Sequence, residues 1–151
     1  MTTSSAAITI AASAADEAAE ELNKSYYTHL DSKRHQLHKF YVPGSTLAWC
    51  GNEITGDVNI SKFLQDLPET VHEVKSLQAQ PIEAQYSQGK TVILISVDGR
   101  VFIEYKKGRR MHMFSHSILL AEYDGKWKIA RENYRLNESA YTETISSLGQ
   151  K

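Results

Sequence analysis

Cysteine is nearly missing from this chain, and that shortage narrows the reading at once. Cys50 stands alone among 151 residues, so no intramolecular disulfide and no thiolate zinc cage can be built from the chain itself. A reducing compartment, cytosol or nucleus, is the plain expectation. Long apolar runs are missing too: the stretch 92–95 is broken by Ser96, far short of a bilayer span. Nor is there an excess of one charge. Seventeen basic side chains stand against eighteen acidic ones, for a formal net charge of −1, whereas an electrostatically driven nucleic-acid binder shows a basic surplus. The first fifteen residues are rich in Ala, Ser and Thr and hold no basic residue. That pattern fits neither a secretory signal nor a transit peptide, and 1–14 is expected to be a flexible leader.

What is present reads as one globular domain. Hydrophobic residues make up 41% and charged residues 23%, and a chain of this length buries roughly 70% of its unfolded surface without staples. Three helical stretches come first. Ser13 and Asp16 suggest a capping box, after which Ala18, Leu22, Tyr26 and Leu30 recur every fourth residue. A second helix is expected over 32–41 and is stopped by Pro43-Gly44. A third follows Gly56-Asp57, carries Ile60, Phe63, Leu64 and Leu67, and ends at Pro68. Between the second and third, 46–50 and 53–55 read as short strands around a Gly51-Asn52 turn. Beyond Pro68 the chain is strand-like over 74–82, 91–97, 101–105, 111–123 and 127–136. Breaks fall at Ser87-Gln88-Gly89, Asp98-Gly99, Lys107-Gly108 and Asp124-Gly125. Asp98-Gly99 also fits a bulge inside one bent strand.

Helices followed by hairpin-linked strands mean an α+β domain, an antiparallel sheet packed on helices. The stretch 92–97 is apolar on both alternating sets, so burial on both faces is expected, and in a single-layer sheet that calls for a partner surface. Alternation over the last two strands puts Phe114, His116, Ile118 and Tyr134 inward. Ser115, Ser117, Leu119, Arg131, Asn133 and Arg135 then point outward.

Residues with chemical potential are scattered. His35 and His38 lie three apart on a predicted helix, but no third ligand stands near them, and a solvated helix face is the simpler reading. His112 and His116 share strand parity and read as core or cavity histidines. Tyr26, Tyr27, His29 and Asp31 cluster on the first helix; they are either core residues or the acid–base set of a cavity enzyme. No nucleophile elbow, phosphate loop or metalloprotease motif occurs, and no cofactor or metal is expected. The basic run Lys106-Lys107-Gly108-Arg109-Arg110 reads as a solvated hairpin tip, with direct RNA contact weak at most.

Taken together, Tyr26-Tyr27, Phe40-Tyr41, Trp49-x-Gly51-Asn52, Leu67-Pro68, Gln80-Pro81, Phe114, Trp127-Lys128-Ile129 and Tyr134-Arg135-Leu136 resemble the nuclear transport factor 2-like family, and within it the branch related to export. The resemblance runs from about residue 15 to 138, leaving 139–151 as an expected flexible tail. It implies a cone-shaped fold, three N-terminal helices on a bent antiparallel sheet. It also implies a non-enzymatic subunit whose outer sheet pairs with the homologous domain of a large mRNA export receptor. The heterodimer would contact phenylalanine-glycine nucleoporins and shuttle between nucleus and cytoplasm, with no membrane partner and no small-molecule substrate. By motif, Arg135 carries the charged contact across that heterodimer. Two departures matter. His116 and Ile118 stand where the family commonly has glutamine and an aromatic. The turn at 105–110 is basic where the classical import factor that binds the GDP-bound Ran GTPase is acidic. A homodimeric Ran carrier, and a dehydratase or isomerase working through Tyr27, His29, Asp31 or His116, stand as alternatives.

Overall fold

The computed structural model describes residues 3–82 and 92–137; the expected turn at Ser87-Gln88-Gly89 and the tail 139–151 lie outside the described residues. Helix α1 spans Thr3–Ser32 and a 3₁₀ helix spans Arg34–Phe40. Strands β1 (Tyr41–Trp49) and β2 (Asn52–Thr55) precede helix α2 (Asp57–Gln65). Strands β3 (Thr70–Ile82), β4 (Val92–Tyr105), β5 (Gly108–Tyr123) and β6 (Lys126–Leu136) complete the domain.

The six strands form one open sheet in the order β2-β1-β6-β5-β4-β3. Four of the five pairings are antiparallel; β1 runs parallel to β6, with Trp49 beside Tyr134. The sheet is therefore mixed rather than antiparallel. A parallel pair needs a long connection, supplied here by everything between β1 and β6, and no local signal announces such a pairing.

Helix α1 lies along β3 and buries Ala15, Ala18, Ala19, Leu22, Tyr26 and Leu30, the stripe that the four-residue spacing predicts. It begins at Thr3, so Ser13 and Asp16 sit inside the helix instead of capping it. The expected boundary at residue 14 is not a break in secondary structure. The second predicted helix is a 3₁₀ helix that buries Leu37, a short connector between two longer elements. Helix α2 packs Ile60 and Leu64 toward that connector and β1.

Tight turns set the strand registers. Asp124 and Gly125 both have positive φ (54° and 76°), as a two-residue hairpin with the right-handed strand twist requires. The β1–β2 turn uses Cys50 and Gly51 (φ 47° and 89°), one residue earlier than Gly51-Asn52, because Asn52 already pairs with Trp49. Strand β4 runs unbroken through Asp98-Gly99. The extra residue lies opposite, on β3, where pairing steps from Val74↔Gly99 to Ser76↔Asp98. A Cβ on Gly99 would stand 2.2 Å from the Glu73 carbonyl oxygen, so glycine is what lets β3 approach at this bulge and the sheet bend.

Candidate functional site

Polar groups gather on both the inner and the outer face of β5 and β6. Inward, the buried side chains of β5 are His112, Phe114, His116, Ile118 and Leu120, and those of β6 include Glu132, Tyr134 and Leu136. Trp49, Tyr134 and Phe114 stack nearly parallel, with centroids 4.0 Å and 5.4 Å apart. This stack ties β1, β6 and β5 together across the cone.

Two polar networks thread the core. In the first, Glu132 is 2% exposed and His116 1%. His116 Nε2 lies 2.6 Å from Glu132 Oε2, and Tyr27 Oη lies 2.7 Å from His116 Nδ1. Tyr41 donates to Glu132 Oε1, and Tyr26 Oη lies 2.8 Å from Tyr41 Oη and 3.3 Å from Glu132 Oε2. With the ring proton on Nε2, His116 donates to the carboxylate and accepts from Tyr27, leaving no donor in the set without an acceptor. Burial first, then the Glu132 charge, holds the Tyr26, Tyr27 and Tyr41 hydroxyls well above the usual phenol range, so they stay proton donors.

In the second network Asp31, at the end of α1, accepts from His72 Nδ1 at 2.7 Å, from the His72 backbone N–H at 2.7 Å and from Thr70 Oγ1 at 2.8 Å. Tyr134 donates to His72 Nε2 at 2.7 Å. Burial keeps His72 below the ordinary histidine value, against the pull of Asp31. Beside it, the Arg34 guanidinium donates to the carbonyls of Leu30, Leu67 and Pro68 and to Thr70 Oγ1, pinning the end of α1 to the start of β3.

These networks bear directly on the enzyme alternative. Tyr27 and His116 do meet, but Asp31 belongs to the other set. His29 stays on the exposed side of α1, bonding the Ser25 carbonyl at 2.7 Å and standing edge-on to Phe40. His112 faces inward and pairs with Tyr105 at 2.9 Å. Within the first set, Tyr26, Tyr27, Tyr41, His116 and Glu132 are each 5% exposed or less, so the set is enclosed by the core. Among the described residues, no group of three His, Cys, Asp or Glu is placed to hold a metal. His35 and His38 are exposed. Sequence reading missed Glu132 and Arg34 and gave Tyr41 and His72 no place in a polar network. Alternation from Tyr134 already turned Glu132 inward, and a carboxylate facing a core was the available signal.

The outer face differs in kind. Ser115, Ser117, Arg131 and Arg135 are exposed, and Asn133 and Leu119 half-buried. Register joins them as Ser115↔Arg135, Ser117↔Asn133 and Leu119↔Arg131, so all six expected partner-binding residues lie on one face. Strand β4 is not buried on both faces: Leu94 is 38% exposed, because the helices cover only the inner side. Thr46, Ala48, Leu94, Ser117, Leu119 and Arg131 line a shallow depression of about 290 Å³. At its floor Asn133 Oδ1 is buried without a hydrogen-bond partner. Neither Arg131 nor Arg135 has an ion pair among the described residues. No described helix is long and apolar enough to cross a membrane.

The model of the nuclear transport factor 2 (NTF2) domain family matches residues 18–136. NTF2-related export protein 2 of Mus musculus is 32% identical over 127 residues, which are 82% of this chain and 87% of that protein. A solved chain in the complex of the Chaetomium thermophilum Mex67 NTF2-like domain with Mtr2 superposes with a TM-score of 0.64 at 14% identity, covering 81% of this chain and 98% of its own. A putative scytalone dehydratase from Novosphingobium aromaticivorans superposes with a TM-score of 0.70 at 18% identity, covering 86% and 89%. The last two show a shared fold alone.

Proposed function

The chain belongs to the nuclear transport factor 2 domain family, and from that premise we propose that it is a non-enzymatic subunit of nuclear export. In this reading its outer sheet face pairs with the nuclear transport factor 2-like domain of a large mRNA export receptor. The heterodimer carries mRNA through the pore by way of phenylalanine-glycine nucleoporins, shuttling between nucleus and cytoplasm. The observation that carries this reading is the likeness to an export-related relative across 82% of the chain. The outer face supports it. A sheet centred on short side chains, with two guanidiniums that form no ion pair among the described residues, is suited to a second protein surface that supplies carboxylates.

Arg135 is the residue to test. Its side chain leaves the core to Tyr134, so Arg135→Glu should melt like the wild type. Truncating or reversing one side of an interfacial charge pair costs about 2–5 kcal/mol of binding, largely through the charge left behind. Titration calorimetry against the receptor's domain, with a thermal melt of each variant, measures both quantities. Wild-type affinity in a folded Arg135→Glu protein would remove Arg135 from the interface and with it the proposed docking mode.

A further inference from the structure

The pairing register carries the outer face one step further, to a residue on β4. Arg135, Ser115 and Asp98 stand side by side across β6, β5 and β4. With strands about 4.8 Å apart, the two charged residues are about 10 Å from one another with a serine between them. Both are exposed. Asp98 is held in place by hydroxyls from either side, Ser115 Oγ at 2.8 Å and Ser76 Oγ at 3.4 Å. Like Arg135, it has no ion pair among the described residues. One level along lie Asn133, Ser117 and Ser96, and the next holds Arg131, Leu119 and Leu94.

Sheets packed face to face keep their strands within about 30° of each other. If a like-folded sheet is laid over this one about a two-fold axis along β5, one of the two central strands, every β6 position stands over the β4 position at the same level of the other sheet. Arg135 then faces the counterpart of Asp98, Asp98 faces the counterpart of Arg135, and Asn133 faces the counterpart of Ser96. The third level breaks the pattern. A second copy of this chain would set each Arg131 guanidinium over Leu94, which brings no acceptor. Each cation is left only the Glu53 that lines its own side of the depression, and burying a cation without a close partner is costly. A different chain of the same fold can place an acceptor there.

We infer that Asp98 is the second charged anchor of the partner-binding face, opposite a cationic side chain of the partner. The partner is a like-folded sheet whose face also carries acceptors over Arg135 and Arg131. This rests on the heterodimer reading above and names the partner's surface chemistry. It makes the interface reciprocal, each side giving one cation and one anion about the axis, so that charge order selects the partner as well as its register.

The experiment compares Asp98→Asn, Asp98→Arg, Arg135→Asp and the double reversal, each titrated into the receptor's nuclear transport factor 2-like domain, with sedimentation of each protein alone. Asp98→Asn is expected to weaken binding by about tenfold and Asp98→Arg by more. The double reversal should be weaker than either single change, and all four should melt like the wild type. Wild-type affinity for Asp98→Arg alongside weakened binding of Arg135→Asp would overturn the inference while leaving the heterodimer standing. A self-associating wild type that either single reversal disrupts and the double reversal restores would make the occupant a second copy and overturn it too. A wild-type protein that never binds the receptor's domain would instead remove the functional reading beneath it.

Discussion

The two faces of β5 and β6 are built from the same strands to opposite ends. Inward, Glu132 collects His116, Tyr26 and Tyr41, and the buried charge is surrounded by donors. Outward, one residue away along the same strand, Arg131 has no ion pair and the buried Asn133 amide oxygen no hydrogen bond among the described residues. A protein interior tolerates charge only when it is matched on the spot. An interface can leave charge waiting, because water serves it until the partner arrives. Under the proposed function, the inner polar groups bear on stability and the outer ones on association.

The sharpest way to break that division is Glu132→Ala. It leaves His116, Tyr26 and Tyr41 as buried donors around a cavity, and removing one member of a buried charged set typically costs about 3–5 kcal/mol. Urea unfolding should show the loss. A variant as stable as the wild type would mean that the network contributes nothing to the fold.

A smaller effect should appear with pH. Because burial holds His72 below its unfolded value of 6.5, the unfolded chain takes up a proton that the folded chain refuses once pH falls through that value. Stability present above it is therefore lost on acidification, at up to about 1.4 kcal/mol per pH unit. Burial of His112, with Arg110 close by, adds in the same direction. Denaturant midpoints measured from neutral to mildly acidic pH should fall, and His72→Gln should flatten the slope. A slope unchanged by that substitution would place the proton uptake elsewhere.

Smallest of the three is Tyr27→Phe. The change removes one hydroxyl from His116 Nδ1 and should cost about 1 kcal/mol of stability, leaving partner affinity unaltered. Loss of affinity in a stable Tyr27→Phe protein would couple the inner network to the outer face and erase the division drawn here.

Much of the fold could be read from spacing alone. The stripe from Ala18 to Leu30, the Asp124-Gly125 turn and the alternation through β5 and β6 are local patterns, and local sterics enforce them. Alternation also turned Arg135 outward and Tyr134 inward before any contact was known, since a strand's side chains have no other choice. The misreadings fall at the ends of elements and in short connectors. The α1 start moved from Ser13 because helix propagates readily through the Ala-rich residues before it, so the local cap was not needed. The segment 34–40 tightened into a 3₁₀ turn, and the turn at Cys50 shifted by one residue to fit the Trp49 register.

By itself, then, the sequence determined the α+β class, the amphipathic faces, the hairpin sites and the outward set on β6, because each depends on neighbours within a few residues. Only the tertiary structure decided that β1 lies parallel to β6, that Asp31 belongs to His72 while His116 belongs to Glu132, and that Asp98 shares a level with Arg135. Those relations join side chains 16 to 41 positions apart or more, and no periodicity encodes them. They exist because closing the sheet over α1 brings particular levels of particular strands side by side.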